Sequence, residues 1–228
     1  LVLPLTNNTV STTAQIKFCK QNKVHGIIIC QDPLQAPNPK FKKIKELGIP
    51  VIVVGGNLPS TGLHYFKEDI EPVATLVAQK IVAKNKKQIL AVFDESTAQR
   101  TELILNAFID KVSAHENNIS VEYASSTSEA FSLCKHAIAQ NKYDAIFCMN
   151  DALILGAWQA LQAAPSPIDL FGMSETGMPS LLPPTISYAY YSGEAAATET
   201  IGLMLKIMRE KTPATENSRS ISWQERKA

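Results

Sequence analysis

Polar side chains that could bind a small molecule follow two apolar runs near the middle of the sequence. Asn150 and Asp151 come directly after the run from Ala145 to Met149, and the polar loop SETG (174–177) follows the run from Ile168 to Gly172. In an open parallel sheet, ligands bind at the carboxyl ends of the strands. We therefore expect both polar corners to open toward one crevice, and the first hypothesis is a binding cleft.

Arg100 is a candidate cation for the same cleft. It follows the apolar run QILAVF and the polar loop DESTAQ, so its guanidinium can point into the cleft. A guanidinium donates hydrogen bonds in a bidentate fork that suits vicinal hydroxyls, carboxylates or phosphates. The alternative is an arginine that is solvated at the start of a helix.

Three acidic residues nearby are expected to be structural or solvated. Asp151 lies where a strand meets a helix, and an N-cap role is favoured there over a ligand role. Asp94 and Glu95 lie in a loop and are expected to be solvated.

The motifs of common enzymes and cofactor sites are not found. The sequence has no Ser/His/Asp order, phosphate-binding loop, GxGxxG motif or metal-ligand spacing. The histidines are scattered at His25, His64, His115 and His136. We expect no catalytic residue, no metal and no cofactor, and an enzyme that uses the cleft is the remoter alternative.

Composition sets the size and class of the protein. The 228 residues, 45% of them apolar, can bury a core of one domain or two small ones, and no apolar run approaches the roughly 20 residues that a bilayer needs. The net charge of +1 is spread along the chain and does not indicate a nucleic-acid surface. Buried, reduced thiols in a cytosolic protein are favoured for Cys19, Cys30, Cys134 and Cys148.

Strand-like and helix-like segments alternate along the chain. In the first part, strands are predicted at 1–5, 25–30 and 48–56, with helices at 11–21 and 40–47. Residues 57–65 lack periodicity and are expected to connect two lobes. Asp69 then caps a helix at 70–84, followed by the strand QILAVF, a helix at 102–112, the strand ISVEYA and a helix at 128–140. This alternation predicts an α/β fold with doubly wound parallel sheets.

Several short motifs, in their order and spacing, indicate a family. They are HGIII at 25–29, GIPVIVV at 48–54, Asp69 opening a helix, Arg100 before an apolar helix, ND(x2)ILGA at 150–157, the Gly172 turn and LLPPTISYAYYSGEAAA at 181–197. With these motifs the sequence resembles the effector-binding core of lactose-repressor-type (LacI/GalR) transcription regulators. Periplasmic sugar-binding proteins share that core.

The resemblance implies a periplasmic-binding-protein-like type I fold, in which the chain crosses between two lobes three times. The predicted N-terminal lobe comprises residues 1–65 and 189–212, and the C-terminal lobe comprises residues 66–188 and 213–228. Family members also begin with a strand and helix, and before them a helix-turn-helix DNA-binding head. We expect both to precede Leu1 in the full protein and to be absent from this chain.

The predicted effector-binding residues combine the cleft positions with the resemblance. Asn150 reaches the ligand by resemblance, and its amide offers a donor and an acceptor. Phe66 could stack on a sugar face, with core or hinge packing as an equal alternative. Tyr188 could act as a lid, although packing is expected for most of the tyrosines near it. The full predicted set is Arg100, Asn150, Ser174, Phe66, Glu175 and Tyr188.

The turn after Gly172 departs from the family pattern of glycine, aromatic and two acids. Met173 replaces the aromatic, and Ser174 replaces the first acid, which in relatives accepts sugar hydroxyls. One negative charge is thereby removed from the wall that faces Arg100. We expect the cleft to accept an anionic sugar, such as a hexose phosphate, better than a relative with the acid would, unless Glu175 turns inward.

The resemblance implies a bacterial transcriptional regulator that binds a small sugar or sugar phosphate between two lobes and controls DNA binding allosterically. Such a protein is expected to be a cytoplasmic homodimer without a membrane partner, and to contact operator DNA only through the missing head. The alternative is a periplasmic sugar-binding protein of a transport system, which has the same fold.

Overall fold

The computed structural model describes residues 14, 17–19, 21–30, 44–54, 62–67, 70–95, 98–182, 186–191, 193–210, 216–218 and 221–225, with the backbone alone for residues 30, 67, 98, 99, 216–218 and 221–225. The predicted α/β class with parallel sheets is confirmed. The described strands are β1 (Ile27–Cys30), β2 (Val51–Val54), β3 (His64–Lys67), β4 (Gln88–Phe93), β5 (Asn118–Tyr123), β6 (Ala145–Cys148), β7 (Asp169–Ser174), β8 (Ile186–Tyr191), β9 (Glu216–Ser218) and β10 (Ile221–Glu225). The longer described helices are α1 (Glu71–Ala83), α2 (Ala98–Ser113), α3 (Thr127–Ala139), α4 (Asp151–Ala163) and α5 (Gly193–Glu210).

The chain divides into two compact units. Unit 1 comprises Leu1–Asp69 and Glu194–Arg219, and unit 2 comprises Ile70–Gly193 and Ser220–Ala228. The chain therefore passes between the units after residues 69, 193 and 219, a few residues later in each case than the predicted crossings.

Unit 1 is built on a parallel sheet with the strand order β1-β2-β3-β9. Successive residues of a strand point to opposite faces of the sheet. In β2, Val51 and Val53 pack in one apolar cluster with Ile44, whereas Ile52 packs in another with Met204 of α5. Both faces of this sheet are covered, which explains why the sequence of β2 is apolar at every position.

Unit 2 has a six-stranded sheet with the order β10-β8-β7-β6-β4-β5. All neighbours are parallel except β10, which is antiparallel to β8. Helices α1 and α2 pack as one pair, and α3 and α4 as another. Three phenylalanines pack together in the core of this unit. The rings of Phe108 and Phe147 stack with 4.2 Å between their centroids, and Phe93 meets Phe147 edge-on at 5.6 Å.

Helix α3 begins with a variant of the capping box, in which the Glu129 carboxylate bonds the residue before the N-cap. The Ser126 hydroxyl accepts a hydrogen bond from the Glu129 amide, and the Glu129 carboxylate accepts bonds from the amide and hydroxyl of Ser125. The Ser125 amide is the main reason that the pKa of Glu129 lies below its usual value. The box explains why α3 begins one residue before its predicted start.

Helices α3 and α4 approach closely at Gly156. A Cβ atom at this position would lie 2.4 Å from the Thr127 carbonyl oxygen and 2.8 Å from both the Ala130 Cβ and the Phe131 amide nitrogen. Because two of these atoms belong to the backbone of α3, only a residue without a side chain fits there.

Some element boundaries differ from the prediction. Strand β7 continues through Ser174 instead of ending at Gly172, and α2 begins at Ala98 instead of residue 102. Ile70 occupies the N-cap position of α1 without a side-chain cap bond, and the predicted cap, Asp69, lies outside the described residues. No helix in the described part of the chain is long and apolar enough to cross a bilayer.

The cysteines with described side chains are buried free thiols. They are Cys19 in unit 1 and Cys134 and Cys148 in unit 2. Burial raises the pKa of Cys134 to about 12 and holds the pKa of Cys148 well above its usual value. The Cys30 side chain lies outside the description.

Candidate functional site

A pocket opens at the carboxyl ends of four neighbouring parallel strands of unit 2. Its volume is about 260 Å³, slightly below the roughly 300–1,000 Å³ of sites for drug-sized ligands. The described lining residues follow β4, β6 and β7 or end β8, and they are Asp94, Arg100, Met149, Asn150, Asp151, Ala152, Glu175, Thr176 and Tyr191. The pocket therefore lies at the edge of the sheet where the sequence predicts a cleft, and its size suits a small ligand.

Arg100 lies in the first turn of α2 and bonds across the pocket wall. Its Nη2 donates to Glu175 Oε1 at 2.5 Å and to Tyr191 Oη at 2.8 Å. The Tyr191 hydroxyl in turn donates to the same Glu175 oxygen at 2.9 Å. The Arg100 and Glu175 side chains are 20% and 43% exposed. The three side chains form a closed triangle of hydrogen bonds that solvent can reach.

Asn150 is the N-cap of α4. Its backbone is extended, with φ −150° and ψ 170°, and its Oδ1 accepts a hydrogen bond from the Leu153 amide at 2.9 Å. Its Nδ2 donates to Asp94 Oδ2, also at 2.9 Å. The favoured assignment of the cap to Asp151 is wrong, because Asp151 is already the first helical residue and its side chain points elsewhere.

Asp151 instead fixes the loop that follows β7. Its Oδ2 accepts hydrogen bonds from the amides of Glu175 and Thr176, each at 3.2 Å, and from the Thr176 hydroxyl at 3.0 Å. Its other oxygen is buried and has no hydrogen-bond partner among the described residues. Because Asp151 holds the backbone of Glu175, it also sets where the Glu175 side chain begins.

Asp94 is half-buried and forms part of the pocket wall, so it is less solvated than expected. Its amide donates to the Met149 sulfur at 3.0 Å, its carbonyl accepts from the Thr101 hydroxyl, and its carboxylate accepts from Asn150. Its neighbour Glu95 is exposed, as expected.

The structure brings three of the six predicted effector residues together in this pocket, namely Arg100, Asn150 and Glu175. Ser174 is 0% exposed, and its hydroxyl accepts a hydrogen bond from the Gly177 amide. Phe66, 3% exposed, packs in the core of unit 1, which differs from its predicted place in the second lobe. Tyr188, 4% exposed, packs in the core of unit 2.

The expectation of a less negative wall opposite Arg100 is wrong. Ser174 is the last residue of β7 and turns into the core, so its lack of charge does not bear on the pocket. Glu175 turns toward Arg100 and supplies the carboxylate that was expected to be missing.

Asp94, Thr176 and Tyr191 also line the pocket, although the sequence does not single them out as ligand-binding residues. Each lies at or just beyond the carboxyl end of a strand, and that position is the feature that could have identified them. Together the lining residues offer carboxylate acceptors, a guanidinium donor and hydroxyls, which suit a molecule rich in hydroxyl groups. The described residues contain no group of three His, Cys, Asp or Glu side chains placed to hold a metal ion.

Comparison with known proteins relates the chain to binding proteins and regulators. A family model described as periplasmic binding protein domain matches residues 2–198. No curated protein matches the sequence significantly.

Three solved structures show the same fold. A LacI family transcriptional regulator from Enterococcus faecium with bound ribose is 15% identical, with a TM-score of 0.75, and the match covers 93% of this chain and 81% of that one. A periplasmic binding protein/LacI transcriptional regulator from Alkaliphilus metalliredigens complexed with D-xylulofuranose is 18% identical, with a TM-score of 0.71 and coverage of 96% and 83%. A dimeric Lac repressor is 15% identical, with a TM-score of 0.75 and coverage of 97% and 83%.

Proposed function

This chain belongs to the periplasmic binding protein domain family, and from that premise we propose that it is the effector-binding core of a LacI-type transcriptional regulator that takes a small sugar. Its fold is the periplasmic-binding-protein-like type I fold. The observation that carries the proposal is the pocket at the carboxyl ends of the unit 2 strands, where Arg100, Asn150 and Glu175 converge.

Two kinds of support favour a sugar. The lining residues offer several oxygen acceptors and one guanidinium, and a polyhydroxyl compound can both donate to the former and accept from the latter. Two proteins with the same fold have bound sugars, ribose in one and D-xylulofuranose in the other. No step of this recognition requires catalysis, so the proposed role is binding without turnover.

The proposed regulation is a population shift. An effector that binds one arrangement of the two units better than another biases their equilibrium by its differential affinity and by no more than that. Operator contacts belong to a separate DNA-binding head, and the working form is a cytoplasmic homodimer, in line with the dimeric Lac repressor that shares the fold.

A periplasmic sugar-binding protein of a transport system is the second candidate, because the family model and one of the solved structures are described as periplasmic binding proteins. The coding sequence upstream of Leu1 discriminates between the two. A helix-turn-helix segment there supports the regulator, whereas a secretion signal supports the transport component.

The test of ligand binding is calorimetry with a panel of neutral pentoses and hexoses, beginning with D-ribose. Binding at a hundred times the dissociation constant should also stabilise the fold by about 2.7 kcal/mol. Arg100→Ala should weaken binding of whichever sugar is found by about 2 kcal/mol, roughly thirtyfold, because a charge-assisted hydrogen bond is lost.

Arg209→Ala is the matched control, since Arg209 is an exposed arginine near the end of α5 in unit 1. It should bind the sugar as the unchanged protein does. A panel without any binding sugar, or equal affinity in the Arg100→Ala variant, would contradict the proposed site.

A further inference from the structure

Arg100 is the basic residue that lines the pocket, so an anionic ligand would be expected to bind to it. Guanidinium groups bind phosphates and carboxylates through paired, charge-assisted hydrogen bonds. Among the described lining residues, Arg100 is the single basic side chain. Whether the pocket accepts anions therefore depends on what already contacts this guanidinium.

The guanidinium already holds a carboxylate from within the protein. Glu175 Oε1 lies 2.5 Å from Arg100 Nη2, where an oxygen of a ligand anion would otherwise sit. The Tyr191 hydroxyl gives its proton to the same Glu175 oxygen at 2.9 Å, so it has no proton left to donate to an incoming anion. An anion that binds at Nη2 must therefore displace Glu175.

The position of Glu175 is fixed by its backbone. Its amide donates to Asp151 Oδ2 at 3.2 Å, and its carbonyl accepts from the Gly193 amide at 3.4 Å. The residue before it, Ser174, is anchored in the core at the end of β7. The carboxylate is thus delivered to Arg100 by a loop that is held on both sides.

The other charges of the pocket act in the same direction. Asp94 and Asp151 line it together with Glu175, so the formal charge of the described lining, three carboxylates and one guanidinium, is −2. A negative lining repels an anionic ligand, most strongly where solvent is excluded. Hydroxyl groups, in contrast, can donate to these carboxylates without a charge penalty.

We infer that Glu175 is a specificity-determining residue: by occupying Arg100 it makes the pocket select uncharged polyhydroxyl ligands and reject phosphorylated ones. The inference rests on the proposed function in taking this pocket as the ligand site, and it narrows the ligand class from sugars and sugar phosphates to neutral sugars.

The test measures binding of inorganic phosphate by calorimetry at constant ionic strength, in the unchanged protein and in Glu175→Gln. The unchanged protein should show no saturable binding up to about 10 mM phosphate. Glu175→Gln keeps the shape of the side chain and removes its charge, and it should bind phosphate at least tenfold more tightly. Glu175→Ala should show a gain at least as large.

Two further variants locate the effect. Glu102→Gln removes the same charge from an exposed position on α2, two residues from Arg100, and should leave phosphate binding unchanged. Adding Arg100→Ala to Glu175→Gln should abolish the gain, because the freed guanidinium is then absent.

Three results would overturn the inference. They are saturable phosphate binding by the unchanged protein, equal behaviour of the unchanged protein and both Glu175 variants, and a gain that survives the loss of Arg100. The first needs no variant, so it applies even if the Glu175 variants fail to fold. Titration of the unchanged protein with D-ribose is independent of all three, so failure of the sugar proposal and failure of this inference are distinguishable.

Discussion

Asn150 has two tasks that make opposite demands on the chemistry of its side chain. Its oxygen caps α4 by accepting from Leu153, and its nitrogen donates to Asp94 in the pocket wall. Aspartate and serine are good N-caps too, but neither provides an amide donor in this geometry. Only asparagine satisfies both partners at once.

Asn150→Asp should therefore destabilise the protein by about 1–3 kcal/mol at pH 7, although it keeps a good cap. The new carboxylate would lie next to Asp94 Oδ2, at the 2.9 Å that the amide nitrogen now occupies. Repulsion raises the folded-state pKa of one member of such a pair above the unfolded value of about 3.9. The loss of stability is then present above that raised pKa and diminishes as the pH falls through it.

Urea unfolding of Asn150→Asp between pH 4 and 8 measures this effect, with Asn150→Ser as the uncharged control. The serine variant keeps a capping oxygen and loses the donor without adding a charge, so its loss of stability should vary less with pH than that of the aspartate variant. A pH-independent loss in the aspartate variant would show that the two carboxylates do not face each other.

Arg100 and Asn150 both line the pocket, as the sequence predicts, because polar residues that follow an apolar strand lie at its carboxyl edge. The sequence alone cannot tell which of Ser174 and Glu175 faces the pocket. Side chains alternate along a strand, so the answer depends on the residue at which β7 ends, and a shift of one residue exchanges core and pocket. Strand propensity does not fix the end of β7 to a single residue.

At the scale of elements, helices α3 and α4 approach each other so closely that the contact requires a glycine. In the sequence, Gly156 is only one letter of the ND(x2)ILGA motif. The structure shows why glycine stands there: the backbone of α3 lies against it. A helix interior alone would favour alanine over glycine by about 1 kcal/mol.

Gly156→Ala should therefore lower the free energy of unfolding by about 1–2 kcal/mol, because overpacking against the α3 backbone exceeds the gain in helix propensity. Thermal or urea unfolding measures it. Gly202→Ala on α5 is the matched control, since a Cβ there meets nothing within 4 Å, and it should stabilise by about 0.5–1 kcal/mol. If both variants are stabilised, the helices are not held as close as the contacts imply.

The alternation of strands and helices predicts the order of most described elements, whereas their ends depend on contacts that are distant in sequence. The strand β7 extends to Ser174 because the Ser174 hydroxyl finds a partner in the Gly177 amide while buried. A serine in a loop-like stretch is typical of a turn. Its burial here costs little because its hydroxyl has a hydrogen-bond partner, the Gly177 amide.

At the scale of the whole molecule, the charge balance argues against DNA binding by these 228 residues. Lys and Arg number 22 against 21 Asp and Glu, so the chain carries a net charge of +1. Affinity for duplex DNA comes largely from counterions released by clustered basic side chains. The densest basic run, KFKKIK at 40–45, is short, and the chain as a whole is nearly neutral.

Residues 1–228 should accordingly bind a labelled duplex no more tightly than about 10⁻⁵ M at about 150 mM salt, within the range of non-specific binding, and without sequence preference. Fluorescence anisotropy with two unrelated duplexes measures both quantities. Submicromolar binding to one duplex and not the other would contradict the prediction and indicate a DNA-reading surface within these residues.

The rate at which the buried thiols of unit 2 are alkylated can report how often the core opens. Burial raises the pKa of Cys134 to about 12 and that of Cys148 well above its usual value, so both thiols resist ionisation at pH 7 while the core is closed. Alkylating reagents must therefore wait until the core opens and both sulfurs regain ordinary acidity. A compound that binds the pocket should slow alkylation by the factor by which it suppresses opening of the core. The rate at which mass is added at the two sulfurs, neither of which lines the pocket, therefore measures pocket occupancy.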